Sequence, residues 1–481
     1  MSEGEKVGSV EYRPVEPGYF EKRQLKPYAR AFHLWALGVG AVISGDFYGW
    51  NFGLPAGGFG GLLLATGIVT VLYLGLSYSI AEMSPALPHT GGAYSFARSA
   101  MGPWGGYVTG LGENLEYILT PAVIVVGSGA YLGAVFQTPE EYAPLWWLGA
   151  YVVFVALNVW GVKLAFRFAI AITLLALAVL VVFFVGAVPH TDLDAHALDI
   201  EPAEGGSRFL PMGWFGVFAA LPFAIWFYLG IEELPLAAEE SHDPRRDMPR
   251  GILLGIGTLI VLAFLTLFLN SAISPGAAEV GASQNPLYLA FQTIFGDGLV
   301  AKLLALVAVA GLVASFHTIM FAYGRQIYSL SRAGYFPRFL SITHPRHKTP
   351  HVALIAGGVL GYAVALAIHY GPEGVPVGAV LLNMAVFGAV ISYVLQMLSF
   401  ILLRIRRPGI ERPYRSPLGI PGAAMALAIS ALTLVFLFLN ADYRYGVVGA
   451  AVWYGLGLVY FAAWGRRRLV KSPEEAFALR D

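Results

Sequence analysis

Five acidic residues stand inside apolar stretches that hold no basic residue at similar depth: Asp46, Glu113, Glu116, Glu232 and Glu233. A carboxylate without a partner in a low-dielectric setting either takes up a proton or binds a cation. Glu113 and Glu116 are three residues apart and share a helix face. Glu232 and Glu233 are adjacent and point apart, so at most one faces a common cavity and the other is expected to bond between helices. Asp46 lies in Ile43-Ser44-Gly45-Asp46, and Glu232 follows Trp226-Phe227-Tyr228-Leu229-Gly230. Glycine beside a charged residue in an apolar run predicts an interrupted helix with free backbone groups. The aromatic rings at both places suit an ammonium group, each contact being worth about 0.5–2 kcal/mol. Asp46 either touches that cation or only caps a half-helix. His317 either relays protons or is satisfied between two helices.

The elements that carry these residues are apolar helices. The chain has 481 residues, 57% hydrophobic and 12% charged, with mean hydropathy +0.65. A soluble globular protein is about 25% charged, so the composition implies an integral membrane protein. Twelve mostly uncharged runs are long enough to cross a bilayer at about 20 residues each. They are 31–57, 60–83, 104–136, 144–161, 164–188, 213–240, 250–272, 299–331, 351–370, 376–403, 420–440 and 445–464. The first and sixth are the interrupted ones, five spans apart. Two broken helices in corresponding places point to a binding site near the membrane midplane in an alternating-access carrier. Residues 1–30 read as a tail that is mobile at its start, and residues 465–481 as a second tail. All lysines and arginines but Arg208, Lys302 and Arg444 fall on one side, which places both termini in the cytoplasm.

Equal numbers of basic and acidic residues argue against a nucleic-acid partner, and the absence of cysteine excludes thiolate metal sites. No cofactor or metal is expected, and the oligomeric state is left open. No motif of a metalloprotease, a phosphate-binding loop or a serine hydrolase is present. A channel is disfavoured, because broken helices suit occlusion better than a continuous pore.

The stretch Glu82-Met83-Ser84-Pro85-Ala86-Leu87-Pro88-His89-Thr90-Gly91-Gly92-Ala93-Tyr94-Ser95-Phe96 resembles a signature of the amino acid–polyamine–organocation permeases. LNVWGVK at 157–163, GIEELPLAAEESHDPRRDMP at 230–249, GRQIYSLSRAGYFPRFL at 324–340, TPHVAL at 349–354 and RRPGIERPYRSPLG at 406–419 resemble the same superfamily in the same order. The resemblance implies an all-α, LeuT-like fold with broken helices 1 and 6. Residues 31–188 and 213–403 would form inverted repeats, with 420–464 peripheral. It also implies gating roles for Gly91-Gly92 and the turn at Asp243. Where amino-acid permeases carry Gly-[Ser/Thr]-Gly, this chain has Ser44-Gly45-Asp46, and the surrounding run is similar to the ethanolamine permease branch. The expected substrate is therefore a small amine cation, ethanolamine or choline, held by Asp46 or Glu113 while the other titrates. The alternative is an amino-acid or polyamine permease. Glu232 matches a residue that takes part in coupling in some relatives. A coupling lysine found in span five of many relatives is replaced here by about Ala176.

Overall fold

The computed structural model describes residues 5–371, 377–439 and 444–479. Its long helices are α3 (Gly53–Ala86), α4 (Gly92–Phe136), α5 (Ala143–Val159), α6 (Val162–Ala187), α9 (Pro244–Ser271), α12 (Leu299–Arg332), α13 (His351–His369), α14 (Val377–Arg406), α15 (Gly419–Leu439) and α16 (Arg444–Ala463). Among the described residues, ten helices are long and apolar enough to cross a membrane, and they correspond to these. The expected runs 31–57 and 213–240 are the two that fall short as continuous helices. The first is divided into α1 (Ala31–Val42), α2 (Ser44–Phe47) and a short turn at Trp50–Phe52. The sixth is divided into α7 (Gly213–Ala219), α8 (Leu221–Ile225) and a 3-10 segment, Ile231–Glu240. The start of the run at 376 and the end of the run at 440 lie outside the described residues.

Burial separates centre from periphery. In α4, 88% of the most apolar window is enclosed by protein, against 17% in the α16 span, so α4 forms the axis and α16 faces lipid. Helix α4 packs on α12 and α14, while α1 lies against α6, α9 and α12. Non-helical backbone at Gly58 and Gly102 divides α3 and α4, which separates their membrane-crossing parts close to the expected starts at 60 and 104.

Gly91 lies in the turn between α3 and α4, and Gly92 is the first residue of α4, which runs as helix to the Gly102 turn. Asp243 is the residue before α9, whose first turn holds Pro244, a favoured place for proline. The start of the expected N-terminal tail, residues 1–4, lies outside the described residues. Strands β1 (Glu5–Val7) and β2 (Val10–Tyr12) pair antiparallel, Glu5 opposite Tyr12, and Tyr12 bridges to Leu469. Between residues 277 and 295 two short helices, α10 (Ala277–Ala282) and α11 (Pro286–Phe295), cover the end of the bundle away from the termini.

Candidate functional site

The interruption of the first run comes later than its glycine-rich sequence predicts. Helical hydrogen bonding continues through Phe47, and the chain breaks at extended Tyr48 and at Gly49, which has φ 99°. A slighter interruption falls earlier, at Ile43 between α1 and α2. Ser315 of α12 accepts a hydrogen bond from the Ser44 amide at 2.9 Å and donates to the Gly40 carbonyl at 2.8 Å. Its hydroxyl is thus inserted into the place of the Ser44-to-Gly40 rung, a known cause of a kink. At the break itself, the Phe47 carbonyl is capped by the Tyr131 hydroxyl at 2.9 Å. In the sixth run, helix gives way after Ile225, and Gly230 has φ 114°.

The two breaks touch. A Cβ added at Gly45 would lie 2.2 Å from the Trp226 carbonyl oxygen, and one at Gly49 would lie 2.3 Å from Trp226 Nε1. Only glycine permits this contact. Trp50 stacks on Phe227, with ring centroids 5.5 Å apart. Asp46 is buried here with no basic partner among the described residues, and its carboxylate oxygens make no hydrogen bond of ordinary geometry, the Thr266 hydroxyl being the nearest donor. Thr266 of α9 and Tyr228 are its polar neighbours. The indole N–H groups of Trp50 and Trp226 are likewise buried and unpartnered. The place where the broken helices meet therefore offers one anionic acceptor and two neutral donors. The Tyr228 hydroxyl is already engaged with Thr70, at 2.7 Å.

The other acids form a separate group. Glu232 accepts from the Tyr393 hydroxyl at 2.6 Å and from the Gly230 amide at 3.1 Å, and Tyr393 meets Tyr73 at 2.7 Å. Glu116 of α4 is the acid beside Glu232. Glu113 accepts from Gln326 Nε2 at 2.7 Å and lies in the field of Glu232. The structure thus brings Glu232 to Glu113 and Glu116, which share a helix face as their spacing suggests. No hydrogen bond or ion pair among the described residues links Glu113 to Asp46. Of the adjacent pair, Glu232 is the bonded residue, and both oxygens of Glu233 lack a partner among the described residues.

His317 leaves the site. Its Nδ1 accepts from Asn158 Nδ2 and its Nε2–H donates to the Ala165 carbonyl, both at 3.1 Å. It is the satisfied interhelical histidine of the two readings. Ile43 and Ser44 form the helix leading to Asp46, and only backbone at Ser44 makes a described polar contact there. Sequence reasoning missed Ser315, Thr266, Tyr73, Tyr393 and Gln326. Gln326 lies in the quoted 324–340 stretch, while the others are polar residues in apolar helices, a pattern with no local signal.

The motif acids instead pair with motif arginines at the end of the bundle that carries both termini. Glu240 takes a two-pronged contact from Arg325 at 2.8 and 2.9 Å, both residues being fully buried. Arg332 bridges Glu239 at 2.5 Å and Glu474 of the terminal helix α17 (Pro473–Ala478). Glu82 binds Arg404 and also Arg412, the latter at 3.1 Å. Ion pairs therefore join the 230–249 stretch to the 324–340 stretch, and the 82–96 stretch to the 406–419 stretch.

A model of the amino acid permease family matches residues 33–468. The chain belongs to that family. The permease is 31% identical to an uncharacterized transporter of Rhizobium meliloti (strain 1021), over 80% of this chain and 81% of the relative. It is 27% identical to a branched-chain amino acid permease of Bacillus subtilis, over 93% and 94% of the two chains. It is also 27% identical to a probable GABA permease of Pseudomonas aeruginosa, over 80% of each. These names support transport rather than enzymatic chemistry. They favour the amino-acid alternative over the narrower ethanolamine reading, which no relative named here carries.

Proposed function

We propose that the permease carries a small solute of the amino-acid class, gripped by its protonated amine at Asp46. The single observation behind this is the buried Asp46 carboxylate with no basic partner among the described residues, at the contact of two interrupted helices. A buried carboxylate left unpaired is costly, and an ammonium group supplies both the charge and the donors. The indole N–H groups of Trp50 and Trp226 complement it by donating to a carboxylate or hydroxyl at the solute's other end. Alternating access then means parting the Gly45–Trp226 contact toward one side at a time. The Glu116–Glu232 carboxyl pair is the place where a coupled proton would ride.

The interrupted runs complete twelve spans in this reading. Residues 31–188 and 213–403 form the two repeats, and 420–464 flank them. The excess of basic residues puts both termini in the cytoplasm and the chain in the cell membrane.

A second reading, an amine without a carboxylate such as ethanolamine, is favoured by one feature: the acid at the break has no basic residue to balance a carboxylate. Counterflow in vesicles with a panel of competitors decides. GABA, branched-chain and cationic amino acids competing ahead of ethanolamine supports the main reading. Ethanolamine and choline competing alone supports the second. Equal competition by solutes that lack an amine overturns both.

A further inference from the structure

A cavity of about 270 Å³ opens at the terminal end of the bundle, between the start of α4, the end of α14 and α17. Arg98, Ser99, Leu402, Leu403, Arg406 and Arg407 line it. Arg98 is neutralised by Glu475 at 2.6 Å. Arg407 donates to the Ala478 carbonyl at 2.9 Å and has no carboxylate partner among the described residues. Arg406 is exposed and makes neither a hydrogen bond nor an ion pair among the described residues. Among the described residues, the lining of the cavity thus has two arginines without an acid to balance them. Ser99 is 7% exposed, and its hydroxyl is buried without a partner among the described residues. The neighbouring Ile405 is 63% exposed, which sets the arginines where an apolar helix surface ends.

We infer that this cavity binds a phosphate group, with Arg406 and Arg407 as the charged donors and Ser99 as a neutral one. Guanidinium forks match phosphate oxygens in pairs. A basic pocket between helices at the end of the membrane-crossing part suits the phosphodiester of an anionic lipid headgroup, and free phosphate offers the same chemistry. The Arg407 contact with Ala478 would let an occupant act on α17. This site is separate from the solute site at Asp46 and stands or falls without it.

The test uses the full-length permease in neutral detergent, with native mass spectrometry of bound dioleoylphosphatidylglycerol and titration with inorganic phosphate. Arg406→Gln together with Arg407→Gln is compared with Lys163→Gln together with Arg167→Gln, which removes the same charge from exposed positions elsewhere. The expected result is a loss of lipid retention of at least about fivefold in the first pair and little change in the second. Displacement of the lipid by millimolar phosphate assigns the site to free phosphate as well, and lack of displacement assigns it to the headgroup. Equal retention by the first pair and the unaltered protein overturns the proposal, as does an equal loss in both pairs. Arg406→Gln alone, which breaks no contact the structure shows, keeps the test open should the double variant fail to fold.

Discussion

Glu240 and Asp46 are both acids sealed from solvent, yet their surroundings are opposite. Glu240 sits at the terminal end in the fork of Arg325, beside other arginine–glutamate pairs that tie α3, α4, α12, α14 and α17 together. Asp46 sits where two interrupted helices meet, with no basic partner among the described residues and no hydrogen bond of ordinary geometry to its oxygens. The first region has balanced its charges within the chain and so acts as a clamp. The second has left a charge unbalanced, which is useful only if something that comes and goes supplies the balance. Glu233 also lacks a partner among the described residues, so it is the place beside the Gly45–Trp226 contact that sets Asp46 apart.

Breaking the clamp should cost most. Arg325→Met leaves Glu240 buried and alone, and should destabilise the permease by about 3–5 kcal/mol, read as a large fall in melting temperature in detergent. Next comes the terminal helix. Burial pushes the Glu474 carboxyl up, but the Arg332 guanidinium, helped by His89, prevails and holds it at about 2, below its usual 4.5. A depressed carboxyl stabilises the fold above its unfolded value and loses that contribution as pH falls through the folded one. Glu474→Gln should therefore lower stability by about 1.5–3 kcal/mol at pH 7. Melting curves of both proteins should converge between pH 4.5 and 2 and stay apart from pH 5 upward.

Smaller effects sharpen the contrast. His317→Gln should cost about 1 kcal/mol by disturbing its bonds to Asn158 and Ala165, while the pH profile of uptake stays as it was. A shifted profile would return His317 to the proton path. Smallest of all is Glu233→Gln. Neutralising an acid that has no partner should leave the melting point unchanged or slightly raised, within about 0.5 kcal/mol. A fall comparable to that of Arg325→Met would show that Glu233 has a partner of the clamp kind.

Much of this arrangement was legible in the sequence, for reasons that also mark the limits. The interruptions at 31–57 and 213–240 announce themselves because glycines and acids are conspicuous in apolar helices. Their exact positions do not, since the hydroxyl that enters the helix at Ser44 comes from Ser315, 271 residues away. The grouping of Glu113 with Glu116 follows from helical spacing, but their meeting with Glu232 depends on how α4 and the sixth run pack. The hairpin at 5–12 is short and polar and is held by Leu469, a partner no local pattern reveals. Likewise the motif residues Glu82 and Arg412 were recognisable separately, while their pairing is a property of the fold.

The central claim is that Asp46 holds the amine of the solute. Equilibrium binding of the best competitor to the unaltered permease and to Asp46→Asn tests it most directly. A direct charge-assisted bond worth about 1.5–3 kcal/mol predicts an affinity loss of about 10- to 150-fold with an unchanged melting temperature. An affinity equal to that of the unaltered protein would contradict the claim and leave Asp46 as a residue that shapes the end of a half-helix.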